Sequence, residues 1–199
     1  MNRREMLQNL GAMIGVAAGL PIAGRAQARS QASPEVSEAL ISLTPAEAET
    51  LRALVARIIP ADETGPGALE ARADRFIDRA LAGALKNQRE TYSAGLAAVD
   101  AQALAGKGSV FAKLPPADQD AILTAMQSTT FFDLVRNHTI QGTFSDPFYG
   151  GNENFAGWNL IGYPGARIVV SANLQRMDVK PEPSGKSAYD YGMFNKGEF

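Results

Sequence analysis

Apolar residues recur along the first half of the chain at the spacing of one helix face. Leu51, Leu54, Val55, Ile58 and Ile59 form the first such run, and Pro60 ends it. Its start is written just upstream: Thr44-Pro45-Ala46-Glu47 places Thr at the N-cap, Pro at the first helical position and Glu at the third. That is a capping box, in which side chains satisfy the backbone donors a helix start leaves open. A second helix is expected over about 68–83, burying Leu69, Phe76, Ile77, Ala80 and Leu81, and a third over about 87–105, with Tyr92, Leu96, Val99 and Leu104 on its apolar side. Gly106-Lys107-Gly108 closes the third, and Pro115-Pro116-Ala117-Asp118 opens a fourth carrying Ile122, Leu123 and Met126. After Ser128 the pattern resumes with Phe131, Phe132, Leu134, Val135, His138 and Thr139, and Gly142 is expected to stop it. About five helices on short connections, with no alternating strand run of useful length, predict an all-α compact bundle. Ile168-Val169-Val170 is too short to change that.

The stretch from Gly142 to Arg167 breaks the pattern. It holds Phe144, Phe148, Tyr149, Phe155, Trp158 and Tyr163, interleaved with six glycines and two prolines. Rings supply apolar area that a flexible linker lacks, so this long loop is ordered only if the rings pack, on the chain's own helices or on a partner protein. The segment 171–199 combines Pro181, Pro183, Gly185, Gly192 and Gly197 with Tyr189, Tyr191, Phe194 and Phe199. It is either a disordered end or an extended C-terminal arm whose aromatics dock on another subunit.

The N-terminus reads as an address. Residues 1–28 combine Arg3 and Arg4, an uncharged Gly- and Ala-rich run from Asn9 to Gly24, Arg25, and Ala26-Gln27-Ala28. The adjacent arginines, with Met6 and Leu7 behind them, resemble a twin-arginine export signal, with Asn2 and Met6 at positions where Ser or Thr and Phe are more usual. A standard secretory signal or an uncleaved anchor is the competing reading. Residues 29–43 are a polar tether, and the helical domain spans 44–170.

Composition narrows the chemistry. A formal charge of −2 without a Lys/Arg cluster gives no electrostatic case for nucleic acid. The absence of cysteine excludes disulfides, thiolate catalysis, iron–sulfur ligation and covalent haem attachment within this chain, and a single histidine excludes a multi-histidine metal site. Asp62 and Glu63 sit in a turn and are better suited to capping than to binding a cation. His138, at the expected end of the fifth helix, would have its imidazolium favoured by the helix dipole. It lacks a candidate nucleophile. Ser145-Asp146-Pro147 reads as a turn start, and Gly150-Gly151-Asn152 lacks the strand-then-helix context of a phosphate loop.

Three blocks carry a family likeness: Thr64-Gly65-Pro66-Gly67-Ala68; Phe76-Ile77-Asp78; and Gly142-x-Phe-Ser-Asp-Pro-x-Tyr-Gly-Gly-Asn152 followed by Gly157-Trp158-x-Leu-Ile-Gly-x-Pro-Gly165. Over about residues 44–170 the chain resembles the gluconate 2-dehydrogenase subunit 3 family, the small subunits of membrane-associated flavin-dependent sugar and sugar-acid dehydrogenases. The resemblance implies a non-catalytic periplasmic subunit without a cofactor of its own. It implies a large partner subunit of the glucose–methanol–choline type that holds FAD and lacks a signal, and often a multihaem cytochrome c subunit holding haem c. On this reading Arg3 and Arg4 carry both chains through the export route, and Trp158 packs on the helical body. Phe148, Tyr149, Tyr189, Tyr191 and Phe194 then form the partner interface. Two alternatives are a small periplasmic hydrolase using His138 with Asp146, and a free-standing sugar-binding module stacking sugar on Trp158 and Tyr163.

Overall fold

The capping box at Thr44 forms as its spacing predicts. The Thr44 hydroxyl accepts from the Glu47 N–H, and the Glu47 carboxylate accepts from the Thr44 N–H at 2.8 Å. Burial alone would push the Glu47 carboxyl up, but the Thr44 N–H, then Arg89, Ser93 and the Thr44 hydroxyl, outweigh it and hold its pKa at about 2. The computed structural model describes residues 39–176, 178 and 180–194. Arg3, Arg4, the 1–28 leader and most of the tether lie outside the described residues.

Among the described residues six α-helices form and no strand: α1 (Pro45–Ile58), α2 (Ala73–Ala82), α3 (Arg89–Lys107), α4 (Pro116–Met126), α5 (Thr130–Phe144) and the short α6 (Ala156–Leu160). The domain is all-α, as the periodicity predicts. Helix α1 is the common neighbour of the other four long helices, and α2 packs most extensively on α5. Leu51, Leu54 and Val55 of α1, Ile77 and Leu81 of α2, Leu96 and Val99 of α3, Ile122 and Leu123 of α4 and Val135 of α5 meet in one core. A buried polar thread runs beside it. Thr50 donates to the Asp100 carboxylate at 2.8 Å, Asp100 accepts from the Phe111 N–H, and the Gln119 amide donates to the Phe111 carbonyl.

Three expectations change. Helix α2 begins at Ala73 rather than near residue 68, because Arg72 is left-handed at φ 57° and interrupts the helix there. Leu104 is half exposed, and Ala103 takes its place in the core. Gly142 does not stop α5. It lies inside the helix, where a Cβ would sit 2.9 Å from the Ala73 Cα, so its role is close helix–helix approach.

Asp78 anchors the entry of the chain into the body. This buried carboxylate of α2 accepts from the consecutive backbone N–H groups of Ile41, Ser42 and Leu43 at 2.8, 2.9 and 2.7 Å, while Arg89 holds the Ser42 carbonyl. Asp78→Ala leaves three donors without their acceptor and is expected to destabilise the domain by about 3 kcal/mol. Limited proteolysis checks it, since cleavage near residue 41 should accelerate well beyond that of Asp78→Asn, which keeps one acceptor oxygen. Equal rates for wild type and Asp78→Ala would refute the anchor.

Candidate functional site

The aromatic loop is ordered by backbone packed on backbone. Gly151 lies against the Gly142 carbonyl and Gly157 against the Thr143 carbonyl, where added Cβ atoms would meet those oxygens at 2.1 and 1.9 Å. Between them Asn152 is fully buried. Its Oδ1 accepts from the Gly157 and Trp158 N–H groups, its Nδ2 donates to the Ser145 carbonyl, and its backbone N–H donates to the Gly142 carbonyl. Asn152, Asn154 and Phe155 are all left-handed, with φ of 47°, 51° and 59°. Asparagine tolerates that region. Phe155 does not readily adopt it, and its ring is stacked on Trp158 at 5.5 Å.

Trp158, on α6, is nearly buried. Its indole N–H donates to the Phe144 carbonyl at 2.8 Å, and the Tyr163 ring meets it edge-on at 4.8 Å. The only tryptophan is thus part of the body rather than an open sugar-stacking platform.

The C-terminal arm folds back onto this loop through Asp146. That carboxylate caps the Phe148 N–H, as a turn-starting Asp should, and also accepts from the Ser187 hydroxyl and the Ala188 N–H. Ser187 and Asp190 form a second capping box, which starts the single turn Ala188–Asp190 and places Tyr189. Tyr189 then stacks on Phe148 with centroids 3.7 Å apart, and its hydroxyl meets that of Tyr149 at 2.9 Å. The Tyr149 hydroxyl pushes the Tyr189 phenol up.

Phe148 and Tyr149 remain 56% and 51% exposed despite these contacts. Of the five rings expected at a partner surface, Phe148, Tyr149 and Tyr189 are brought together. Tyr191 turns inward in part: its hydroxyl donates to the Ala166 carbonyl and Lys186 lies over its ring. Phe194 is exposed and follows Tyr191 in a turn. Tyr189 and Tyr191 are half-buried by their own chain, which no short stretch of sequence reveals, because Asp146 and Ser187 are 41 residues apart.

His138 is not at the end of its helix. Helix α5 continues to Phe144, and the imidazole is buried, with Nδ1 2.9 Å from the Tyr92 hydroxyl. Burial pushes its pKa down from the ordinary 6.5, the opposite of what the dipole alone would do. His138 and Asp146 are engaged with different partners, so the geometry does not assemble the acid–base pair a hydrolase would need. The depressed pKa has a sign. The folded chain keeps the ring neutral where the unfolded chain protonates it, so its share of stability is full above pH 6.5 and is lost as pH falls toward the folded value. Urea midpoints should therefore drop below pH 6.5 in wild type and drop less in His138→Gln. Parallel profiles for the two proteins would contradict this.

No group of three His, Cys, Asp or Glu side chains able to hold a metal occurs among the described residues. Likewise, no helix there is long and apolar enough to cross a membrane. Neither the curated proteins nor the solved structures contain a match to this chain. The model of the family described as gluconate 2-dehydrogenase subunit 3 matches residues 45–165, from the first residue of α1 to the glycine that ends the aromatic loop. This span is more than half of the chain and takes in the backbone-packed glycines, Asn152 and Trp158, and by this match the chain belongs to the gluconate 2-dehydrogenase subunit 3 family.

Proposed function

We propose that this chain is the non-catalytic small subunit of a periplasmic dehydrogenase, bound to a large FAD-containing subunit of the glucose–methanol–choline type that oxidises a sugar or sugar acid. The observation that carries the reading is the ring ladder of Phe148, Tyr189 and Tyr149, of which Phe148 and Tyr149 stay exposed while Asp146, Asn152 and the folded-back arm hold the ladder in place. Preorganised aromatic rings on a rigid support lose little freedom on binding, which is the character of protein–protein anchor residues. Family membership supplies the complex to which such a surface belongs. On this reading a multihaem cytochrome c subunit takes the electrons onward, and both FAD and haem c reside in the partner chains.

The test is expression of the flavin subunit with and without this chain. Solubility, FAD occupancy and periplasmic activity should all fall when it is absent; a lone flavin subunit equally active and equally exported would end the proposal. The export role rests on Arg3 and Arg4. Replacing both by Lys keeps the charge but removes the guanidinium geometry, and should strand both subunits in the cytoplasm. Unchanged periplasmic levels of the two proteins would point to the ordinary secretory route.

A further inference from the structure

Just past the aromatic loop, Ile168, Val169 and Val170 form three consecutive β-branched residues that the helical body leaves 48%, 76% and 50% exposed. They are not a loose end. The residues before them are pinned by the folded-back arm: the Ala166 N–H donates to the Lys186 carbonyl at 3.2 Å, the Ser184 N–H to the Pro164 carbonyl at 2.7 Å, and the Tyr191 hydroxyl to the Ala166 carbonyl. The Arg167 Nη2 donates to the Glu182 carbonyl at the same junction. A cleft of about 530 Å³ lies there, lined by apolar Ile168, Val169 and Pro181 and by charged Arg167, Lys180 and Glu182. Residues 166–187 carry four cations, Arg167, Arg176, Lys180 and Lys186, against two carboxylates, Asp178 and Glu182, in a chain whose formal charge is −2. Asp178 pairs with Arg176 and Lys186 lies over the Tyr191 ring, so Arg167 and Lys180 are the cations beside the apolar triad.

We propose that this tip is a lipid contact, in which Ile168, Val169 and Val170 enter the headgroup region of an anionic phospholipid surface while Arg167 and Lys180 receive lipid phosphates at the cleft. Shallow apolar insertion reinforced by Lys and Arg is how peripheral proteins hold to anionic membranes. Charge complementarity selects anionic lipid, because the excess around the tip is positive although the chain as a whole is negative. Side-chain type selects lipid over protein: anchors at protein interfaces are rings and arginines, as in the ladder, whereas valine is under-represented there. The backbone sets the depth. The N–H groups of Arg167, Ile168, Val169 and Val170 donate to no group among the described residues, and unpaired backbone is not tolerated in hydrocarbon, so the tip stops where water and phosphate still reach it. Neither the flavin partner nor the ladder enters into this contact.

The chain has no cysteine, so Ala172→Cys, at an exposed position just beyond Val170, takes a single polarity-sensitive dye on the full chain. Reading the dye rather than sedimentation keeps any binding through residues 1–28 apart from binding at the tip. On vesicles of phosphatidylcholine mixed with phosphatidylglycerol its emission should shift to the blue and be quenched by nitroxide-labelled lipid, and on phosphatidylcholine alone it should not. Adding Val169→Asp should weaken the response about tenfold or more, and adding Lys180→Gln about fivefold at low salt, with the second loss vanishing in high salt. Each variant is first checked for unchanged melting. No blue shift, an equal shift on both kinds of vesicle, or a full response with Val169→Asp would overturn the lipid contact. An equal response to inorganic phosphate without vesicles would make the cleft a free-anion site. Loss of co-purification with the flavin subunit in Val169→Asp, without any vesicle response in the parent, would make the tip a protein contact. Either of these results also refutes the proposal.

Discussion

Asn152→Ala is expected to lower stability by about 3–5 kcal/mol and to release the aromatic loop from the helical body. The figure follows from what the side chain holds. Two backbone donors, Gly157 and Trp158, and one acceptor, the Ser145 carbonyl, depend on a single buried amide. Each buried group left unpaired costs about 1–3 kcal/mol, and the three share one network, so their losses do not simply add. Alanine also fits the left-handed φ of 47° less well than asparagine, by about 1 kcal/mol. Asn152→Asp keeps the oxygen but loses the donor to Ser145, and should fall between alanine and wild type. Because Trp158 is the only tryptophan, its fluorescence reports the loop directly during urea unfolding. A midpoint shift worth less than about 1 kcal/mol, with unaltered emission, would show that the bracket is dispensable.

The second large effect separates packing from assembly. Trp158→Ala removes a nearly buried ring together with its bond to the Phe144 carbonyl, and should cost about 3–5 kcal/mol. In a domain of this size that is a fall in melting temperature of roughly 10–15 °C. Tyr149→Ala removes a half-exposed ring whose hydroxyl meets only another exposed-edge phenol. It should leave melting nearly unchanged and instead abolish co-purification with the flavin subunit proposed as its partner. The decisive comparison is melting of each isolated variant against its recovery with the partner. Normal melting with lost co-purification in Trp158→Ala, together with normal assembly in Tyr149→Ala, would reverse the assignment of the two rings.

Several features were legible because their causes are local. The capping box at Thr44 and Glu47 needs only residues three apart, and the proline-led start of α4 needs only the fixed φ of proline. The apolar faces of α1 and α4 emerge where their periodicity places them, since burial there follows one stripe. The placement of Trp158 against the body was also readable, from a large ring flanked by glycines. Other features turned on contacts that no short window contains. Gly142 resembles a helix stop until Ala73 is packed against it, and Gly151 and Gly157 resemble flexible positions until the carbonyls of Gly142 and Thr143 are brought close enough to exclude a side chain. Leu104 fits an apolar stripe, but the neighbours of α3 cover Ala103 instead.

The sequence by itself therefore determined the class of fold, the number of long helices and the family blocks, because periodicity, capping and turn chemistry act over a few residues. Only the tertiary structure decided which way His138 titrates, since the burial that depresses it comes from packing against α3 rather than from its place in α5. It alone decided that Asp146 does more than start a turn, by bringing Ser187 and Ala188 within hydrogen-bond reach. The ring ladder belongs to this second kind. It is made by loop and arm meeting in space, and the free energy that joins segments so far apart is the burial and pairing realised only once both are in place.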